Sequence, residues 1–83
     1  MYLQVKEVST APGYLLKVLY ENGELRQFDM KPYFEKGIFK ALKDDKLFNS
    51  VKPSFDTVRW SNLADIDPEV LYTESLLLNK KPS

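Results

Sequence analysis

The sequence predicts a small α+β protein: an antiparallel β-sheet domain with a helix packed on one sheet face, in the order β-β-β-α-β-β-α. Three observations carry that expectation. Apolar and polar residues alternate over residues 3–30 and then change to a helical period. The stretch ENG (Glu21–Gly23) separates two alternating runs with the residues that a tight hairpin needs. Near the other end, DPE (Asp67–Glu69) supplies an N-cap oxygen, a proline where no donor is required and an acid facing the helix dipole.

The elements follow in order. Leu3–Val8 reads as a strand by its alternation, and STAPG (Ser9–Gly13) as a loop by its proline and glycine. YLLKVLY (Tyr14–Tyr20) is apolar on both faces, which suits a central strand. The next strand runs from Glu24 to Met30, and the loop length decides which side chains face inward. A two-residue loop would put Leu16 opposite Asp29, an aspartate on the most apolar face. A three-residue loop with a left-handed Gly23 pairs Tyr20 with Glu24, Val18 with Arg26 and Leu16 with Phe28. The second register gathers Tyr14, Leu16, Val18, Tyr20, Phe28 and Met30 on one face, and it is the expected one. Beyond Asp29, a possible cap, Phe34, Ile38, Ala41 and Leu42 form one stripe of an amphipathic helix. Gly37 marks a kink in it or a division into two short helices. DDK (Asp44–Lys46) closes that segment. Phe48–Val51 and Thr57–Trp60 read as short strands around a turn at Pro53–Asp56, followed by a short helix through Tyr72. Ser75–Leu78 fits neither period. The 83 residues make one domain, expected over 1–79, with a disordered tail at 80–83.

Composition excludes several kinds of chemistry. Hydrophobic residues are 43% of the chain and aromatics 13%, which is globular rather than disordered. With no cysteine, neither a disulfide nor a thiolate-bound metal stiffens so small a core, so good packing or a partner must. With no histidine either, a Ser–His–Asp triad, a Cys–His pair and a His-ligated zinc site are all impossible within one chain. No apolar run approaches ~18 residues and no signal peptide is evident, so a cytoplasmic protein without membrane contact is expected. Twelve basic and twelve acidic residues cancel, leaving no bulk field to draw in nucleic acid. The charges are nonetheless segregated. Lys31, Lys36, Lys40, Lys43, Lys46 and Lys52 dominate residues 31–55, whereas Asp56, Asp65, Asp67, Glu69 and Glu74 outnumber Arg59 over 56–79. Mutual compensation across a folded surface accounts for both halves.

Each candidate site has a plain reading beside the sharp one. DIDPE (Asp65–Glu69) alternates carboxylates as calcium loops do, but Val70 and Leu76 stand where such a loop needs glycine and a bidentate glutamate. Helix capping explains the same residues, and no metal or cofactor is expected. Trp60 either anchors a ligand or fills the core. A binding cleft, if this corner makes one, would use Trp60, Asn62, Asp65 and Tyr72; Asp29, Asp65 and a tyrosine are the acids available for hydrolysis, and no catalytic residue is assigned. The lysines could meet phosphates, but acids interleave them, and the only glycines, Gly13, Gly23 and Gly37, form no phosphate loop. Leu76, Leu77 and Leu78 cannot all point inward from one helix or strand. They are the candidate interface residues, for a second copy or another protein.

LYENGELRQFDMKP, KGIFKALKDDKLFNSV and VRWSNLADIDPEVLYTES together resemble the bacterial family catalogued as domain of unknown function 2442. The matching positions include Asn22, Gly23, Arg26, Asp29, Gly37, Trp60, Asp65, Pro68 and Tyr72. Ser61 and Leu63 depart from the family, which usually has proline and glycine there. A left-handed turn at Leu63 would be strained, so the backbone is expected to differ there. The resemblance implies a small α+β domain without an established activity. Some similar proteins carry the domain ahead of a helix-turn-helix, for which these 83 residues leave no room, and others are encoded beside a second small protein in a toxin–antitoxin-like arrangement. A non-enzymatic interaction module is the function expected. The alternatives are a small-ligand or carboxylate-based hydrolytic site near Trp60, and weak RNA binding through the lysines.

Overall fold

The hairpin at Glu21–Gly23 sets the fold. In the computed structural model, which describes residues 3–80, strands β1 (Val5–Ala11), β2 (Leu15–Tyr20) and β3 (Glu24–Asp29) form an antiparallel meander. Leu16 lies opposite Phe28 and Val18 opposite Arg26, with Gly23 left-handed at φ 89°. This is the three-residue-loop register. It buries Leu16, Val18, Tyr20, Phe28 and Met30 on one face, as the alternation requires. β2 is central, between β1 and β3. The first strand reaches further than expected. Ser9, Thr10 and Ala11 pair with Lys17, Leu16 and Leu15, so only Pro12, Gly13 and Tyr14 form the turn. A cross-strand partner for each of those residues outweighs their loop propensity.

The expected α-helix after Asp29 is replaced by two 3-10 helices, Lys31–Tyr33 and Gly37–Lys43, divided by an extended Lys36 (ψ 133°) beside Gly37. Residues three apart eclipse in a 3-10 helix, so Phe39 and Leu42 share the inward side. Ile38, on the expected stripe, is 59% exposed, and Ala41 is exposed with it. Asp29 does not occupy the cap of the first 3-10 helix, which is Met30 without a side-chain bond; its carboxylate instead accepts the Lys31 backbone N–H at 2.9 Å from one residue further out.

A second correction follows. Asp44 opens a helix, α1 (Asp45–Phe48), by accepting the Leu47 N–H at 3.2 Å, so Phe48 ends a helical turn and Phe48–Val51 is not a strand. The next strands are β4 (Lys52–Ser54) and β5 (Thr57–Arg59), turning at Phe55–Asp56. Pro53 fits inside β4 because both strands of a two-stranded sheet are edges. Helix α2 (Pro68–Thr73) starts as read, with Asp67 accepting the Glu69 N–H at 2.9 Å.

The chain then adds a strand that the local pattern does not reveal. β6 (Leu76–Lys80) pairs antiparallel with β3, giving a four-stranded sheet in the order β1-β2-β3-β6 beside the separate β4–β5 hairpin. The element order therefore gains a final strand. Of the expected tail, the backbone of Lys80 closes β6 and residues 81–83 lie outside the described residues. Phe34, Leu42, Phe48, Val58, Trp60, Ile66 and Leu71 close over the buried sheet face, so the core lies between the sheet and the layer of helices and hairpin. No helix among the described residues is long and apolar enough to cross a membrane.

Candidate functional site

A four-stranded sheet has two edges, and here they differ. At one end of β1, the Val5 N–H donates to the Phe55 carbonyl at 2.8 Å; toward the other, Thr10 Oγ1 meets Asn49 Oδ1 at 2.6 Å. The hairpin and the α1 region thus flank β1. β6 has β3 on one side and, among the described residues, no strand on the other. Its leucines are open: Leu76 is 67% exposed, Leu77 53% and Leu78 46%. Pairing alternates the faces, with Leu76 opposite Gln27 and Leu77 opposite Arg26, while Leu78 falls in a register shift and has no partner in β3.

A polar cluster holds this edge in place. Glu24 and Arg26 sit two apart on β3 and therefore share its inward face. The Glu24 carboxylate accepts from Asn22 Nδ2 at 2.6 Å, from Arg26 Nε and Nη2 at 2.8 and 2.7 Å, and from the Tyr72 hydroxyl at 3.0 Å. Burial pushes its carboxyl up, but these hydrogen bonds and the guanidinium outweigh it and hold the group below the usual range. Burial likewise opposes the charge on Arg26, and bonding to Glu24 and Tyr72 more than restores it. The guanidinium carbon lies 4.0 Å from the centre of the Tyr72 ring, and the ring of Tyr20 packs edge-on against Tyr72. Arg26 Nη1 also reaches Ser75 Oγ at 3.4 Å, and that hydroxyl donates to the Tyr72 carbonyl at 2.7 Å. The exit of α2 is thereby tied to β3, which directs the chain into β6.

The four residues of the expected cleft do not converge. Trp60 is 1% exposed, donates its indole N–H to the Phe48 carbonyl at 2.9 Å and stacks on the Phe48 ring. It fills the core. Asn62 accepts the Ala64 N–H at 3.1 Å and shapes its own turn. Asp65 is exposed, with Arg59 Nη2 at 4.0 Å and a backbone bridge to the same residue. The shallow groove beside Trp60, formed with Ser50, Pro53 and Arg59, includes neither Asp65 nor Tyr72. Asp29 pairs with Lys31 at 3.1 Å on the larger sheet; burial raises its carboxyl, and the Lys31 N–H and ammonium lower it further, to below the usual range. Among the described residues no three carboxylates gather where they could hold a metal ion. The parts of the cluster that the sequence reading passed over are Asn22, Glu24, Arg26 and Ser75. The signal was present in the register itself, which sets Glu24 and Arg26 beside Tyr20 and Val18 on the apolar face.

Fold and site together define a small α+β domain whose most exposed regular element is an apolar sheet edge pinned by a buried ion pair. The chain belongs to the family described as "Protein of unknown function (DUF2442)", whose model matches residues 5–76. No curated protein and no solved structure matches it.

Proposed function

We propose that this chain is a non-enzymatic, cytoplasmic protein-interaction module that receives a protein partner along β6, in a regulatory or antitoxin-like role. One observation carries the reading: an edge strand with three consecutive exposed leucines. Such an edge offers backbone donors and acceptors for strand addition, and leucines for the side-chain pockets of a partner. No proline or charged residue interrupts Leu76–Leu78, and the bulge at Leu78 is the one edge-blunting device within it. The regulatory role draws on the family resemblance alone. The test compares amide hydrogen exchange of the isolated chain with that of the chain captured on its partner from host extract. Protection should appear at Leu76–Leu78 in the captured state, and Leu77→Lys combined with Leu78→Lys should abolish capture while leaving the circular dichroism unchanged. Capture that survives the double variant, with β6 exchange unaltered, would overturn the reading.

A further inference from the structure

We infer that the groove along the β4–β5 hairpin binds single-stranded nucleic acid, with a phosphate between Lys52 and Arg59 and a base stacked on Phe55. The site is built by a different element from β6, so it neither requires nor excludes the docking edge. Three observations support it. First, Lys52 lies directly opposite Arg59 in the hairpin. Like charges so placed repel and weaken the pair. Asp65 stands 4.0 Å from Arg59 Nη2, and Lys52 has no ion-pair partner among the described residues. An anion received between the two cations removes their repulsion.

Second, both cations line a groove of about 260 Å³ whose other polar walls are Ser50, Ser54 and Ser61, with no acid among the lining residues. Ser50 Oγ is engaged, donating to the Leu47 carbonyl and accepting the Ser61 N–H at 3.1 Å. The hydroxyls of Ser54 and Ser61 have no partner among the described residues, so two free donors stand beside the two cations. An ammonium, a guanidinium fork and hydroxyls are the donors that phosphate oxygens accept from. Third, Phe55 follows Ser54 at the hairpin tip. Its φ of 54° belongs to the position that glycine normally takes in a two-residue loop, and its ring is 80% exposed. The turn uses only its backbone, whose carbonyl accepts the Val5 N–H. A strained residue thus holds a ring in solvent with almost no burial to offset the strain. Phe55 lies about 10 Å along the strand from Lys52, a separation that a short extended nucleic-acid strand spans. Aromatic rings beside a cationic groove hold single strands by stacking, without reading sequence. A lipid surface fits less well, because the Asp56 carboxylate adjoins the ring and would enter the bilayer with it.

Fluorescence anisotropy with a labelled oligouridylate of about ten nucleotides tests the site at low salt. The unsubstituted protein should bind, with a log–log salt slope between about −0.7 and −1.4, as for one or two phosphates neutralised. Lys52→Gln and Arg59→Gln should each weaken binding at least ~5-fold. Lys40→Gln combined with Lys43→Gln, on the exposed side of the second 3-10 helix, should change it less than ~2-fold. Phe55→Gly should weaken binding at least ~5-fold without lowering the thermal midpoint, a combination that a purely structural ring would not give. If inorganic polyphosphate competes as well as the oligonucleotide and Phe55→Gly binds unaltered, the groove is an anion site only and the assignment to nucleic acid is overturned. A lowered midpoint in Phe55→Gly makes the ring structural and overturns its role. Equal loss in the Lys40 and Lys43 variant overturns the location, and absence of oligonucleotide binding at low salt overturns the whole inference. Binding to anionic phospholipid vesicles without binding to the oligonucleotide makes a membrane the occupant instead.

Discussion

Leu63 occupies the left-handed region at φ 70°, where a side chain costs about 1–2 kcal/mol and glycine costs nothing sterically. Leu63 takes the left-handed turn in spite of that strain, and the turn is closed by the Leu63 N–H donating to the Trp60 carbonyl at 2.9 Å. Leu63→Gly should therefore raise the thermal midpoint, though by less than the full strain, because glycine orders at greater entropic cost. A lowered midpoint would mean the leucine packs against something it needs. Tyr20 poses the opposite question. Its hydroxyl is buried without a hydrogen-bond partner among the described residues, and burial, only partly offset by Arg26, pushes the phenol up to about 12. Removing an unsatisfied buried hydroxyl relieves up to ~1–3 kcal/mol, so Tyr20→Phe should match or exceed the parent in urea unfolding. A loss would place an ordered water on that oxygen. Trp60, the single indole, should resist iodide quenching in the native state and become accessible only on unfolding.

At the scale of elements, the ion pair under β6 controls both stability and its pH dependence. Arg26→Ala would strand the buried Glu24 carboxylate and should cost ~3–5 kcal/mol in denaturant unfolding. Because the folded Glu24 value lies below its ordinary 4.5, its stabilising contribution is complete above about that pH and fades as pH falls through the folded value. Glu24→Gln should therefore be less stable at neutral pH and show a flatter loss on acidification, with a residual slope from Asp29. Some of this architecture was legible from local patterns. Gly23 and the need to keep Asp29 off the apolar face fixed the hairpin register, and Asp67-Pro68-Glu69 fixed α2. The 3-10 segments were not, because a 3.6-residue period fits Phe34, Ile38 and Leu42 just as well until Lys36 breaks the spiral. β6 was not either: three adjacent leucines have no period, and what makes them a strand is Arg26 and Gln27, some fifty residues earlier. The leucines were singled out because they could not all be buried, while the cluster that positions them was hidden in pairings already written down for Tyr20 and Val18.

Across the whole molecule, the sheet is assembled from both ends of the described chain, with β3 as the seam: its inner side joins a neighbour a short turn away, its outer side one that arrives from the far end of the sequence. Closing a loop of that length is entropically slow compared with forming a hairpin. During synthesis the meander can therefore zip while α2 and β6 are still unmade, leaving the row of backbone groups along Leu25 and Gln27 without its mate. A nascent or truncated chain would then present a sticky flank quite different from that of the finished protein. Of the described strands, the one translated latest is also the one that masks it.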